Sequence, residues 1–135
     1  MMFVNDTQYL DTYFLISIWL LLVLFCCLLW HELGHMLYFK YKLKKDIKLY
    51  FKYYSKIWFK TEAGKREDYQ DTTDDEYIGI NVSGVLLGLV PLIVLHLVNA
   101  LPFPILLMLI PYATSIQHDL KIIIDDMVKE KNKLN

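Results

Sequence analysis

Residues 13–30 read YFLISIWLLLVLFCCLLW, and residues 31–35 follow directly as HELGH. The first stretch contains no charged residue, and about 20 apolar residues are enough for a helix to cross a bilayer. Two histidines and a glutamate are costly to place at the end of such a helix, because ionisable groups are poorly solvated there. The sequence therefore predicts a membrane helix that carries polar groups with a specific role.

The composition favours a single membrane domain. The chain has 135 residues, of which 56% are hydrophobic, and this length predicts one domain. A second uncharged run covers residues 77–117 and is too long for one span. The turn-forming sequence NALPFP at residues 99–104 divides it into two helices. Because the net charge is only −1, we expect no nucleic-acid partner.

The expected fold is an all-α polytopic membrane protein in one domain that covers residues 1–135. It has three transmembrane helices, and a small cytosolic β-hairpin-like loop lies between the first and the second. The predicted bounds are approximately 12–39, 77–98 and 103–124 for the helices and 40–76 for the cytosolic loop.

The basic residues set the expected orientation. Ten of the fourteen lie between Lys40 and Arg66, and the other four follow residue 120. The positive-inside rule then places the N-terminus outside and the C-terminus in the cytosol. The first apolar run has no Lys or Arg before it and no small-residue cleavage site after it, so we interpret it as a retained helix and not as a signal peptide. The lysine-rich, arginine-poor usage is typical of an AT-rich genome and points to a bacterial cell membrane.

The cytosolic loop contains DIKLYFKYYSKIWFK at residues 46–60. Its aromatic and β-branched residues predict one or two short strands, with a hairpin turn near Tyr54 and Ser55. The same lysines and aromatic residues also fit an interfacial stretch that lies on the lipid headgroups. The sequence alone leaves both interpretations open.

The HELGH sequence fits the H-E-x-x-H pattern. Residues i and i+4 share one face of a helix, so His31 and His35 can bind a single Zn²⁺ with Glu32 beside them as general base. The alternative is that these are polar residues at a helix end near the headgroups. Lys40 is the next charge, about 8 to 14 Å further along a helix. At that depth ionisable groups face a cavity or one another, which favours the metal site.

A catalytic zinc site has three protein ligands and one open position, so a third ligand must come from another segment. The candidates near the inner face lie in SIQHDLKIIIDD and are His118, Asp119, Asp125 and Asp126. Asp119 is preferred because it lies at the same depth as His31, about 28 Å from the outer face at a helical rise. The two later aspartates follow Lys121 and are expected to be solvated. His118 is expected to point elsewhere if Asp119 faces inward.

These residues resemble the site-2 protease family of intramembrane zinc peptidases. In that family a transmembrane helix carries HExxH, often as HELGH, and an aspartate two helices later supplies the third ligand, at the place of Asp119. The sequence HELGHMLYFKYKLKKDIKLYF resembles the family's passage into a membrane-associated β element. GINVSGVLLGL at residues 79–89 is similar to the family's small-residue motif, in which Ser83, Gly84 and Gly88 would allow close helix packing near the site.

The chain also departs from the family pattern. Gly84 is followed by Val85 where the family has proline, Gly88 stands at the place of an asparagine, and the usual Leu-Asp-Gly around the third ligand is absent. The resemblance implies a short, divergent zinc metalloendopeptidase in the lipid bilayer that hydrolyses a membrane-protein or membrane-peptide substrate. The altered motif and the small size favour a second interpretation, a non-catalytic membrane binding protein that retains a zinc site.

Overall fold

The computed structural model describes residues 6–53, 59–101 and 104–135. Most of them are helical, which confirms the helical class predicted from the sequence. In chain order the elements are α1 (Asp6–Tyr41), β1 (Leu49–Tyr53), β2 (Phe59–Ala63), a 3₁₀ helix (Arg66–Tyr69), α2 (Asp74–Leu97), α3 (Ile105–Ser115) and α4 (Gln117–Leu134).

Two helices are long and apolar enough to cross a membrane, namely Gln8–Tyr41 within α1 and Asp74–Leu97. Only 11% and 28% of the residues in their most apolar windows are buried inside the protein. Most of this apolar surface therefore faces outward, which favours a membrane environment. The 36 residues of α1 extend about 54 Å at a helical rise, well beyond the hydrocarbon thickness of about 30 Å.

The first turn of α2 is fixed by a reciprocal cap. The Thr73 hydroxyl accepts a hydrogen bond from the Glu76 N–H, and the Glu76 carboxylate accepts one from the Thr73 N–H. This capping box satisfies two backbone donors that the helix itself leaves unpaired. As a result α2 begins at Asp74, three residues before the predicted start.

The predicted third helix at residues 103–124 is not a single element. It is divided at Ile116 into α3, which has 11 residues, and α4, which continues to Leu134. Alone, α3 covers about 16 Å, which is too short to cross a bilayer. The hydroxyls of Thr114 and Ser115 donate to backbone carbonyls four residues earlier. This competition for the helical carbonyls bends helices and gives a local reason for the break.

The segment between α1 and α2 contains a two-stranded antiparallel sheet. β1 and β2 pair in the register that joins Leu49 to Ala63 and Tyr53 to Phe59. The turn that the sequence predicts near Tyr54 and Ser55 lies outside the described residues. The end of β2 nearest α2 is buried, because Ala63 belongs to an apolar cluster with Phe39, Ile47 and Ile80.

One face of α1 is buried at every fourth position, which is the spacing of neighbours along a helix face. The buried stripe consists of Val23, Cys27, His31, His35 and Phe39. On α2 the same spacing gives the buried residues Ile80, Gly84, Gly88 and Leu92. The two stripes pack together, with one apolar cluster around Cys27 and Leu92 and the other around Phe39 and Ile80. The two histidines lie between these clusters.

Candidate metal centre

Three side chains from two distant parts of the chain meet between the apolar clusters. His31 Nε2 lies 2.8 Å from Asp119 Oδ2, His35 Nε2 lies 3.1 Å from the same oxygen, and the two Nε2 atoms are 3.0 Å apart. The histidines are 3% and 6% exposed, so bulk water does not surround them. α1 supplies both histidines at i and i+4, and the first turn of α4 supplies the aspartate.

The opposite nitrogen of each histidine ring has a partner that fixes the ring's orientation. His35 Nδ1 donates to the Ile80 carbonyl at 2.8 Å. The Tyr112 hydroxyl donates to the Val85 carbonyl at 3.1 Å, so its oxygen is left to accept from His31 Nδ1 at 3.3 Å. In the neutral rings both Nδ1 atoms therefore carry the proton, and both Nε2 atoms present a lone pair.

The Nε2 atoms and the aspartate oxygen are thus three hydrogen-bond acceptors that face one another in a buried space. Acceptors at such distances repel one another unless a cation lies between them. Among the described residues, these three form the one group whose ligand atoms converge closely enough to hold a metal ion. The arrangement therefore requires positive charge, which a metal ion or added protons can supply.

The spacing of the three atoms also fits a small metal ion. Zinc–ligand bonds of about 2.0 to 2.2 Å at tetrahedral angles place neighbouring ligands about 3.3 to 3.6 Å apart. The observed separations are 2.8, 3.0 and 3.1 Å, so the ligand atoms need to move apart by only about half an ångström to bind the ion. Two imidazoles and one carboxylate are a donor set that catalytic zinc sites use. The residues present fit a zinc ion.

The small residues of α2 make room for the histidines and for Tyr112. A Cβ atom at Gly84 would collide with the His35 ring, and one at Gly88 would collide with the Tyr112 hydroxyl. The Ser83 hydroxyl lies 2.8 Å from the Ile80 carbonyl and 3.0 Å from the Gly34 carbonyl, which links α2 to α1. The three small residues that the sequence places near the site therefore all lie beside it.

Glu32 is next to the first histidine along α1 but points to a different group. Its Oε2 accepts a hydrogen bond from the Ala63 N–H at 2.8 Å, and the side chain is half-buried. It is not part of the group of converging ligand atoms. The hydrogen bond connects the two-stranded sheet to α1 beside the site.

The other candidates for a third ligand lie away from the centre. His118 and Asp125 are exposed, and Asp126 is half-buried. None of the three belongs to the converging group, whereas Asp119 does.

Two groups at the site were missed by the analysis of the sequence. Tyr112 lies seven residues before Asp119, two helical turns along the third predicted helix, so its position on the ligand face could have been noticed. The Ala63 N–H is a backbone group, and no residue type in the sequence marks it. Its role depends on how the sheet packs against α1.

Comparisons with protein-family models, with curated proteins and with solved structures found no match. The functional interpretation therefore rests on the residues and their geometry.

Proposed function

We propose that this chain is an intramembrane zinc metalloendopeptidase, similar to site-2 proteases, that hydrolyses a peptide bond in or next to a transmembrane segment. The observation that carries the proposal is the convergence of His31, His35 and Asp119. Their three acceptor atoms lie 2.8 to 3.1 Å apart, and both rings are oriented by partners on the far side. The expected substrate is a membrane protein or membrane peptide.

The proposed topology has three spans, with the N-terminus outside and the hairpin sheet and C-terminus in the cytosol of a bacterial cell. α1 and α2 provide two spans. α3 and the beginning of α4 provide the third, because hydrogen bonds continue across the break from Ile116 N to the Tyr112 carbonyl and from Leu120 N to the Ile116 carbonyl. This arrangement places the metal centre near the inner membrane face, where the basic flank begins.

When bound, Zn²⁺ supplies a Lewis acid that polarises a peptide carbonyl and acidifies water. His31, His35 and Asp119 hold the ion. Glu32 is the general base that accepts a proton from the attacking water and delivers it to the leaving amine. Tyr112 and the Ile80 carbonyl keep the two imidazoles in the tautomer that binds metal.

A substrate helix must unwind before it can be cut, since its carbonyls are shielded by helical hydrogen bonds. Unwinding in lipid leaves backbone groups unpaired at a cost of several kcal/mol each. The hairpin sheet can satisfy them by strand addition. β2 is the strand on the side of the site, because Ala63 bonds directly to Glu32.

A second candidate function is a non-catalytic membrane binding protein with a structural zinc site. The observation in its favour is that the Glu32 carboxylate is already engaged by the Ala63 N–H, as a purely structural glutamate would be. In that case Glu32 would stabilise the hairpin and have no proton to transfer.

The deciding experiment is Glu32→Gln, which keeps the size and polarity of the side chain but removes the base. Zinc content is measured on the purified protein, and cleavage is measured on co-expressed single-span reporter peptides whose helices are interrupted by Gly-Pro. For the protease we expect unchanged zinc and a loss of turnover of about 10²-fold or more. His118→Ala is the matched control and should change neither quantity. Zinc-bound parent protein that cleaves no reporter would support the binding protein, and equal cleavage by the parent and Glu32→Gln would show that Glu32 is not the base.

A further inference from the structure

The outer edge of β2 is the one that faces away from β1. Its last residue, Ala63, is hydrogen-bonded to Glu32 of α1. The Gly64 N–H donates to the Lys48 carbonyl at 2.8 Å, so these two residues form a hydrogen-bonded pair of the ladder. Hydrogen-bonded and non-hydrogen-bonded pairs alternate in an antiparallel sheet. The backbone N–H and C=O of Ala63 therefore point away from β1, and those of Thr61 do the same.

Both outward groups of Ala63 are occupied by side chains. The N–H donates to Glu32 Oε2 at 2.8 Å, and the carbonyl accepts from the Tyr69 hydroxyl at 2.6 Å. Ala63 is only 3% exposed. The Glu32 oxygen thus takes the place that a carbonyl oxygen of a neighbouring strand would take.

The position of Ala63 is fixed more firmly than that of its acceptor. The Tyr69 ring packs edge-on against Phe39, with centroids 5.1 Å apart, and Phe39 is fully buried. Burial, together with the nearby negative charges of Glu32 and Asp119, raises the pKa of Tyr69, so its hydroxyl stays protonated and continues to donate to Ala63. The carboxylate, in contrast, is held at the end of a flexible side chain. A change of partner at the Ala63 N–H therefore moves Glu32 and leaves the sheet in place.

We propose that the Ala63 N–H is a shared donor, which holds Glu32 in the resting protein and passes to a main-chain carbonyl of an extended peptide that adds to the outer edge of β2. The inference rests on the proposed function and adds a form of control to it. A peptide that pairs as far as Ala63 presents a carbonyl to the same N–H and releases the Glu32 carboxylate. A peptide that pairs only at Thr61 leaves Glu32 bound.

The consequence is that pairing of the peptide with β2 and release of the Glu32 carboxylate occur together. Glu32 is free for proton transfer only when an extended peptide backbone lies next to it. The exchange conserves the number of hydrogen bonds at Ala63 but replaces a charged acceptor by a neutral one, so the other hydrogen bonds of the added strand must offset the loss.

The test uses the small number of alanines in the chain, which are Ala63, Ala100 and Ala113. Labelling alanine with ¹⁵N gives three amide signals from the full chain in detergent micelles. Ala100 N–H donates to the Leu95 carbonyl and Ala113 lies inside α3, so these two are internal controls. Ala100→Ser and Ala113→Ser assign the signals.

The first measurement compares the parent with Glu32→Gln and Glu32→Ala. We expect an upfield shift of the Ala63 amide proton in both variants, since a carboxylate makes the stronger acceptor, and faster hydrogen exchange in Glu32→Ala. The Ala100 and Ala113 signals should stay in place, which also reports that each variant is folded. An unchanged Ala63 signal in both folded variants overturns the proposal.

The second measurement adds a capped hexapeptide of alternating valine and threonine to the zinc-stripped parent protein, so that no cleavage occurs. We expect a concentration-dependent change at Ala63 with protection from hydrogen exchange retained. The same peptide N-methylated at every residue cannot pair and should leave the signal unchanged. No change at millimolar unmethylated peptide, or an equal change with the methylated one, overturns the proposal.

These signals do not depend on turnover. If the parent protein lacks zinc and cleaves nothing, the proposed function fails whatever Ala63 does. If the parent binds zinc and cleaves its reporter while Ala63 does not respond to peptide, only the exchange at Ala63 is wrong.

Discussion

The His35 ring fills the space that a side chain at Gly84 would need. A Cβ atom at Gly84 would lie against three atoms of the imidazole, while His35 Nδ1 donates to Ile80, one turn earlier on the same helix. The contact is therefore both steric and polar. The contacts of the ring with Gly84 and Ile80 on α2 therefore fix the direction in which His35 Nε2 points.

Gly84→Ala should weaken zinc binding by about tenfold or more, as loss of ligand orientation typically does. The added methyl group must push the His35 ring away from Asp119. Helix propensity acts in the opposite sense, since alanine favours a helix by about 1 kcal/mol over glycine. The variant should therefore fold but hold less zinc, as measured by metal analysis after dialysis against a competing chelator.

Gly79→Ala is the control for Gly84→Ala. At Gly79 the added methyl group meets the far end of the Tyr38 side chain, so this variant should keep its zinc. Equal zinc affinity in both variants would argue against steric control by Gly84.

Tyr112→Phe should lower zinc affinity by about 10- to 100-fold. The substitution removes the hydroxyl that accepts from His31 Nδ1 and donates to Val85, so the ring loses the partner that selects its tautomer. Competition with a zinc-binding dye provides the measurement. Tyr13→Phe, at an exposed position of α1, should leave the affinity unchanged. A Tyr112→Phe protein with parental affinity would show that the hydroxyl does not orient His31.

Single substitutions of the three converging residues should empty the site. His31→Ala, His35→Ala and Asp119→Asn should each reduce zinc by an order of magnitude or more relative to the parent, because a three-ligand site tolerates the loss of one ligand poorly. Asp125→Asn is the matched control for Asp119→Asn, since it makes the same chemical change at an exposed position of the same helix. Retention of zinc by Asp119→Asn and its loss from Asp125→Asn would mean that the third ligand is misassigned.

Removal of zinc should destabilise the folded protein. Without a cation, three acceptors remain within 3.1 Å of one another and repel. A ligand at a thousand times its Kd contributes about 4 kcal/mol to folding stability. Treatment with 1,10-phenanthroline should therefore lower the thermal unfolding midpoint in detergent, and added zinc should restore it. In His35→Ala the chelator should have no effect. If the chelator leaves the thermal unfolding midpoint of the parent protein unchanged, protons and not a metal ion supply the positive charge in the site.

Cysteine-accessibility labelling should reveal the orientation. In a background without Cys26 and Cys27, single cysteines at Gln8 and Asn99 should react with an impermeant reagent from outside. Cysteines at Gln70 and Asn132 should react only after the membrane is opened, because the positive-inside rule predicts that these segments lie in the cytosol. A cytosolic N-terminus would contradict the shared depth that led to the choice of Asp119.

The helical parts of the fold followed from sequence because they depend on local pattern. The uncharged run before His31 and the run after Tyr77 predicted α1 and α2, with errors of one to six residues at their ends. The missed start of α2 comes from the Thr73 and Glu76 cap, which lies just outside the apolar run. The break at Ile116 was not predicted, since the apolar run was read as one helix and the bonds from the Thr114 and Ser115 hydroxyls to the helix carbonyls were not considered.

The convergence of the three candidate ligands was partly predictable for a related reason. His31 and His35 are four residues apart, so one helix fixes their relation. Asp119 is 88 residues away from His31 in sequence. An argument from depth separated it from Asp125, and only the direction that each side chain faces separated it from His118. Ala63 was not predictable because its contribution is an N–H that every residue except proline has.

The break at Ile116 divides the support of His31 between two helices. Tyr112, before the break, holds the Nδ1 side of the ring, and Asp119, after it, faces the Nε2 side. Two of the three candidate ligands therefore lie on the single helix α1. The third lies on α4, whose direction relative to α3 depends on the backbone at Ile116. If the site binds zinc as proposed, the stiffness of the chain at Ile116 determines how well the three ligand atoms are preorganised, and substitutions at Ile116 should change the entropy of metal binding.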